Sequence, residues 1–443
     1  MSGGDINLVV LAALLIAFVV SHAGLVILAR RFHVLLVLAT AYLMLSPASG
    51  AAELPMNVVA KMARVYVTIL MIFLSLTVVR IQSIRPLSVL FLAYIAFFTA
   101  SAMWSDYPGE ASLYKGMYAL VVIAGLFTAY SIRSFDQLRQ GVLMFALAGV
   151  LFVLFIMAQV LTNPAAISRI GRLAAWGMIG NRIGQTAAPL LTICAYLALH
   201  EPGRLWKALG YGTGVMLGLI IIYTGSRGAA LEALVGCFVV GIPLLRRPAH
   251  AALVVVVFLA SAYVAYVYGG ADEGATDRFL MTNLNSRENP WTEGMRLFEL
   301  SPIVGNGWVT HVGEVDKGES TKNFHSMFMQ VLVEAGLVGL TLFITLWICI
   351  LASAFLTLRR LRRMKCPSPL IYLVVALLLA ILVHGFFEAG SLIQSLVDSM
   401  LLPFCIGLLG LMPGLERARV RAMSGAAVLR APAIMSGGQM PAL

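Results

Sequence analysis

Long apolar runs dominate this chain and decide what it can become. A helix needs roughly 20 mostly apolar residues to cross a bilayer core of about 30 Å, because each residue advances it about 1.5 Å. Thirteen runs approach that length: Ile6–Ala29, Val34–Ala52, Val58–Val79, Leu87–Met103, Gly116–Ile132, Val142–Leu161, Thr186–Leu199, Ala208–Thr224, Gly228–Leu245, Ala251–Tyr268, Met327–Leu358, Leu370–Phe387 and Ile393–Leu411. Pro47 in the second run, and Lys61 and Arg64 near one end of the third, make these two the weakest. With 60% hydrophobic and only 12% charged residues, the chain lacks the polar surface of a water-soluble enzyme, since soluble domains run near 25% charged. The expected fold is therefore all-α, a polytopic integral membrane bundle of about 12–13 transmembrane helices over residues 1–411.

Basic residues in short loops set the orientation of such a bundle, because cytoplasmic loops carry the excess. Of 31 cations and 20 acids, one set of alternate loops takes 19 cations and three acids, Asp136, Glu201 and Glu416. That set is assigned to the cytoplasm and the remainder to the extracytoplasmic side. Thirteen spans place the N-terminus outside, and the first run, lacking a basic n-region and a small-residue cleavage site, reads as a retained helix. Residues 412–443, rich in Gly, Ala, Pro and Ser, read as a disordered cytoplasmic tail. The net charge of +11 is spread over many small loops and forms no groove, which argues against nucleic acid as a partner. None of the five cysteines falls in an outer loop and no CxxC occurs, so neither a disulfide nor a cysteine metal site is expected.

Two outer segments are long enough to do more than turn: 162–185 and 269–324. In the larger, Asn289 reads as a helix cap and Pro290 as a first helical residue, followed by Trp291, Met295 and Phe298 on one stripe and a stop at Ser301-Pro302. Two readings stand for this short amphipathic helix, lying on the membrane interface or covering the bundle.

Ionisable groups at membrane depth are costly, which makes them functional suspects. Arg227 sits at a tight outer hinge, where it either snorkels to headgroups or grips an anion. Arg287 lies just ahead of the amphipathic helix, whose positive end favours an anion. Arg169, Arg172 and Arg182 bring further cations into the 162–185 segment, beside Asn181. His325 closes the large loop as either a structural hydrogen-bonding group or an acid/base. Glu388 ends a span among Phe386, Phe387 and Gly390. Asp398 and Glu232 carry no motif and read as helix-packing polar groups. Topology thus gathers Arg227, Arg287, His325 and Glu388 on one membrane face from four separate segments. Cations that grip phosphate oxygens, beside an acid/base pair, suit chemistry on a lipid-linked diphosphate.

Three blocks carry a family resemblance: Thr224-Gly225-Ser226-Arg227-Gly228-Ala229; Arg287 with Pro290-Trp291 and Ser301-Pro302-Ile303-Val304-Gly305-Asn306-Gly307-Trp308; and Asn323-Phe324-His325-Ser326 leading into Gln330 to Leu340. In this order they make residues from about Arg172 to Glu388 resemble the O-antigen ligase and polymerase superfamily of bacterial membrane glycosyltransferases. The family usually has Asn directly after the histidine, where this chain has Ser326. Its ligases have twelve spans, one fewer than the runs counted here.

The resemblance implies a GT-C-like fold in the bacterial inner membrane with its active face extracytoplasmic, and no cofactor. It also implies inverting, metal-independent transfer of a glycan from undecaprenyl diphosphate to an acceptor hydroxyl. Arg227 and Arg287 would hold the diphosphate, with Arg172 and Arg182 as further donor-binding candidates. His325 would orient or deprotonate the hydroxyl, and Glu388 would orient His325 or pair with an arginine. A polymerase lengthening O-antigen or exopolysaccharide is favoured over a ligase delivering the chain to lipid A core, and other polysaccharide assembly proteins are candidate partners. A transporter would hold its polar groups near the midplane in paired halves, and no such repeat is visible.

Overall fold

The computed structural model describes residues 37–43, 57–78, 84–163, 173–175, 178, 180–244, 285–307, 324–363, 369–388 and 398–430. Among them there is no strand, only an isolated bridge between Ala175 and Met178. In chain order the α-helices are α1 (Asn57–Val78), α2 (Pro86–Ala100), α3 (Pro108–Tyr130), α4 (Phe135–Thr162), α5 (Gly180–His200), α6 (Arg204–Thr224), α7 (Arg227–Gly241), α8 (Asn285–Leu300), α9 (Met327–Arg363), α10 (Leu370–Phe387) and α11 (Asp398–Arg430). Nine helices among the described residues are long and apolar enough to cross a membrane, and the chain is a polytopic helical membrane protein. The weak third run is helical over Asn57–Val78 and includes an apolar stretch at Met62–Leu76. The first and tenth runs lie outside the described residues, and the second is helical where described, at 37–43.

Burial separates the centre of the bundle from its periphery. The apolar stretches of α5, α10 and α11 are 78%, 72% and 78% buried, whereas that of α6 is 28% buried and leaves Leu205, Tyr211, Val215 and Leu219 exposed. Small residues allow the central helices to close on one another, since without a water-driven hydrophobic force close backbone packing must hold them. Gly184 of α5 faces Ala229 of α7, where an added Cβ would stand 2.8 Å from the alanine methyl. Gly210 of α6 lies against the α5 backbone at Cys194 and Ala198.

Helix α9 is broken at Gly336, which takes φ 63 and ψ −163, a conformation open essentially to glycine alone. The break removes two helical hydrogen bonds, and every group it frees is taken up by the 302–307 loop. Leu337 N–H donates to Pro302 O (2.9 Å) and Val338 N–H to Ile303 O (3.1 Å). The freed carbonyls of Val333 and Glu334 accept from the N–H groups of Asn306 (2.9 Å) and Gly307 (3.0 Å). A broken helix at membrane depth persists only with such replacement, because no water is there to take the orphaned groups. The Ser301-to-Gly307 and Glu334-to-Val338 motifs are therefore two halves of one interlocked unit. Gly336→Ala is expected to cost about 1–3 kcal/mol from backbone strain alone. The expected signature is a lower thermal unfolding midpoint in detergent micelles, because the new methyl would also collide with the Ile303 carbonyl.

Beneath this joint Lys115 of α3 forms an ion pair with Glu334 (3.2 Å), both almost fully buried. Lys115 also donates to Ser101 Oγ and lies 4.1 Å from the centre of the Phe98 ring. Gln330 donates to the same Glu334 carboxylate.

Three expected boundaries are corrected. Helix α5 starts at Gly180 and not at Thr186, so the end of the 162–185 segment is helical. Helix α8 starts at Asn285, so Asn289 is not its cap and Pro290 lies inside it, with Arg287 in its first turn. Helix α11 continues to Arg430, so the tail is helical over 412–430. Its extension is held by Arg417 Nε donating to Pro413 O (3.0 Å), by the Glu416–Arg419 pair (2.9 Å) and by Arg419 stacking on Phe135 (4.9 Å). Residues 431–443 lie outside the described residues. The four described cysteines, Cys194, Cys237, Cys349 and Cys405, are free thiols.

Candidate active site

Glu388 is the point on which four helix ends converge. It follows α10 directly in extended conformation, with its N–H donating to His384 O (3.0 Å). Asn181 Nδ2, in the first turn of α5, donates to Glu388 Oε1 (2.7 Å). His325 Nδ1, just ahead of α9, lies 3.1 Å from Oε2. Both carboxylate oxygens are thus engaged from different helices.

The geometry assigns a direction to the histidine. A carboxylate oxygen accepts, so the Glu388 contact is made by an Nδ1–H and Nε2 is the ring nitrogen turned away from it. Side-chain exposure is 33% for His325 against 7% for Glu388, so the imidazole is reachable while the carboxylate behind it is sheltered. His325 takes φ 49, the single non-glycine among the described residues with a positive φ. Such strain persists only where the surroundings over-determine it and is common at functional sites. Those surroundings are α8 and Ser326. Trp291 Nε1 donates to Phe324 O (2.9 Å), Gly294 packs on the Phe324 ring, and Ser326 Oγ caps α9 through the Met329 N–H at a long 3.5 Å. The hydroxyl thus takes a capping role at a position where the family has Asn, another good cap. Through these contacts α8 covers the bundle, the second of the two readings for this helix.

The Thr224-to-Ala229 block is a joint that delivers Arg227 to the same place. Gly225, at φ 62, ends α6 in a left-handed turn, and Ser226 Oγ accepts from Ala229 N–H (3.4 Å) to cap α7. Arg227 is then the first residue of α7, partly buried at the positive end of that helix. Gly228 allows α10 to approach, since a Cβ there would stand 3.7 Å from Glu388 Cγ. Arg182 is exposed beside Asn181. Arg287 lies four residues before Trp291 in α8, the helix that holds Phe324. Arg169 and Arg172 lie outside the described residues, but Leu173 N–H donates to Tyr223 O (2.7 Å) at the end of α6. Among the described residues no three His, Cys, Asp or Glu side chains converge as metal ligands do.

One helical turn deeper lies a second polar layer that hydropathy does not reveal. His384 Nε2 accepts from Gln185 Nε2 (3.0 Å), and its Nδ1 lies 2.6 Å from Glu232 Oε2, with His384 and Glu232 fully buried. Its signal in the sequence is spacing: Asn181 and Gln185, Gly228 and Glu232, and His384 and Glu388 are each four residues apart.

Comparison with known proteins bears on the same region. Residues 212–344 match the family model described as O-antigen ligase. The chain is also 28% identical over 233 residues to "Exopolysaccharide production protein ExoQ" of Rhizobium meliloti (strain 1021), a match covering 48% of this chain and 52% of that protein. The chain thus spans about half the length of this curated relative. Both matches support the O-antigen ligase and polymerase superfamily that the three blocks resemble, and the family match spans Arg227, Arg287 and His325.

Proposed function

We propose that this chain, whose centre is of the O-antigen ligase type, is a membrane glycosyltransferase moving a glycan from undecaprenyl diphosphate to an acceptor hydroxyl. It acts at the extracytoplasmic face of the bacterial inner membrane. The observation that carries this reading is the Glu388–His325 pair, at 3.1 Å, with Asn181 and the Arg227 end of α7 around it.

The acceptor O–H attacks the anomeric carbon from the face opposite the diphosphate. The new glycosidic C–O bond forms as the bond to the diphosphate oxygen breaks, which inverts the centre. His325 Nε2 takes the hydroxyl proton, and Glu388 stabilises the resulting imidazolium. Arg227 and Arg287 hold the diphosphate and offset the charge that develops on it, with Arg172 and Arg182 as further contacts to the donor. No cofactor enters these steps.

Polymerisation of lipid-linked repeat units is favoured over transfer to lipid A core, because the relative is named for exopolysaccharide production. The test is transfer in proteoliposomes given undecaprenyl-diphosphate repeat units, with and without lipid A core. Longer lipid-linked chains mark a polymerase; product on lipid A core alone marks a ligase. Arg227→Ala and Arg287→Ala are each expected to slow transfer by about 10²–10³, the usual cost of removing one charge-stabilising donor. Near wild-type rates in properly inserted variants would sink this site.

A further inference from the structure

Helix α10 sets where Glu388 points, yet its sequence gives it almost no means of choosing a rotation about its own axis. From Leu370 to Phe387 it is Leu, Ile, Val, Ala, Gly and Phe, apart from Tyr372 at the far end and His384 in the last turn. Its buried residues lie on every face. An all-apolar cylinder packed among other apolar helices can turn or slide at small cost, because each apolar face substitutes for the next. A single polar group with a fixed partner removes that freedom, as a buried polar residue fixes register in coiled coils.

His384 holds such a position. It is bridged to α5 by Gln185 and to α7 by Glu232, at 3.0 and 2.6 Å. Each bridge repeats, one turn deeper, a relation in the site above. Gln185–His384 lies beneath Asn181–Glu388, and Glu232–His384 lies beneath the approach of the Arg227-Gly228 end of α7 to Glu388. The backbone ties the layers together, since His384 O accepts the Glu388 N–H. A rotation of α10 that broke the deeper bridges would carry Glu388 away from both Asn181 and His325.

We propose that Gln185, Glu232 and His384 are positioning residues that fix the register of α5, α7 and α10, so that Glu388 meets His325. The inference deepens the transferase reading, but its first readout does not depend on activity. In protein carrying ¹⁵N-labelled histidine, with the His325 signal identified by its loss in His325→Gln, the Nδ1 resonance reports whether the Glu388 contact is made. His384→Leu and Glu232→Leu are expected to move that resonance, in the folded protein, to the position of a histidine lacking this contact. Glu232→Gln, which keeps a polar group of the same shape against His384 Nδ1, should keep it in place. In the transfer assay the leucine variants should lose about 10- to 100-fold in kcat with KM for the lipid-linked donor unchanged, the effect of a misplaced catalytic group.

An unmoved His325 resonance in His384→Leu and Glu232→Leu overturns the proposal, whatever the assay shows. A shifted resonance with no transfer by wild-type protein leaves the register assignment standing and removes the transferase reading. Where either leucine variant yields no folded protein, Gln185→Leu, which removes only one bridge, supplies the same resonance test.

Discussion

His325→Ala is expected to slow glycan transfer by about 10²–10⁴, the range lost when a positioned general base is removed. Folded yield and donor binding should stay close to wild type. The imidazole is one-third exposed, so its loss opens no large cavity, and the proposed mechanism assigns the diphosphate to the arginines. Glu388→Gln should fall in the same direction by less, because it keeps the shape but removes the charge that holds the proton on Nδ1 and steadies the imidazolium. Asn181→Ala, which takes away the 2.7 Å donor to the other carboxylate oxygen, should have the smallest effect of the three. Single-turnover measurement of chain extension in proteoliposomes separates these outcomes. Transfer by His325→Ala at the wild-type rate would exclude the imidazole as the base.

Lys115→Met should cost about 3–5 kcal/mol of stability, the usual effect of stripping one partner from a buried ion pair. Glu334 would then keep only Gln330 as donor, in a site with no access to water. The double variant Lys115→Met with Glu334→Gln should recover the larger part of that loss, since a neutral amide is far less costly to bury than a charge. Unfolding midpoints in one detergent check both. If the single and double variants proved equally destabilised, the ion pair would not be what holds the α3–α9 joint. Glu334 also lends its backbone carbonyl to the Gly307 N–H in the mend of α9, so loss of the pair should loosen that mend as well.

The pattern of apolar runs foresaw nearly all of the described helices, because the cost of an unpaired backbone in lipid leaves a long apolar segment no alternative to the helix. The helix boundaries that depart from the apolar runs do so at polar residues. Asn181, Gln185 and Lys115 read as loop because a hydropathy scale counts an amide or a charge as the end of a span. All three lie inside helices, and each finds its partner on a separate segment of the chain. Likewise Pro290 reads as a helix start, although it lies within α8. The bland reading of Glu232 as a packing group missed His384, because nothing along the chain marks residues 232 and 384 as neighbours.

The site divides in the same way. Arg227, Arg287, His325 and Glu388 could be singled out from the sequence, because a charged group at membrane depth is conspicuous and topology alone assigns it to a face. What only the tertiary structure decided is which of them touch. That His325 meets Glu388 through Nδ1, that Asn181 takes the other oxygen, and that the Ser301-to-Gly307 loop mends a broken helix are facts of distance between separate segments. Periodicity and charge order residues along one helix. They carry no information about the rotation of that helix against its neighbours, and in an apolar bundle that rotation is set by a few buried polar contacts.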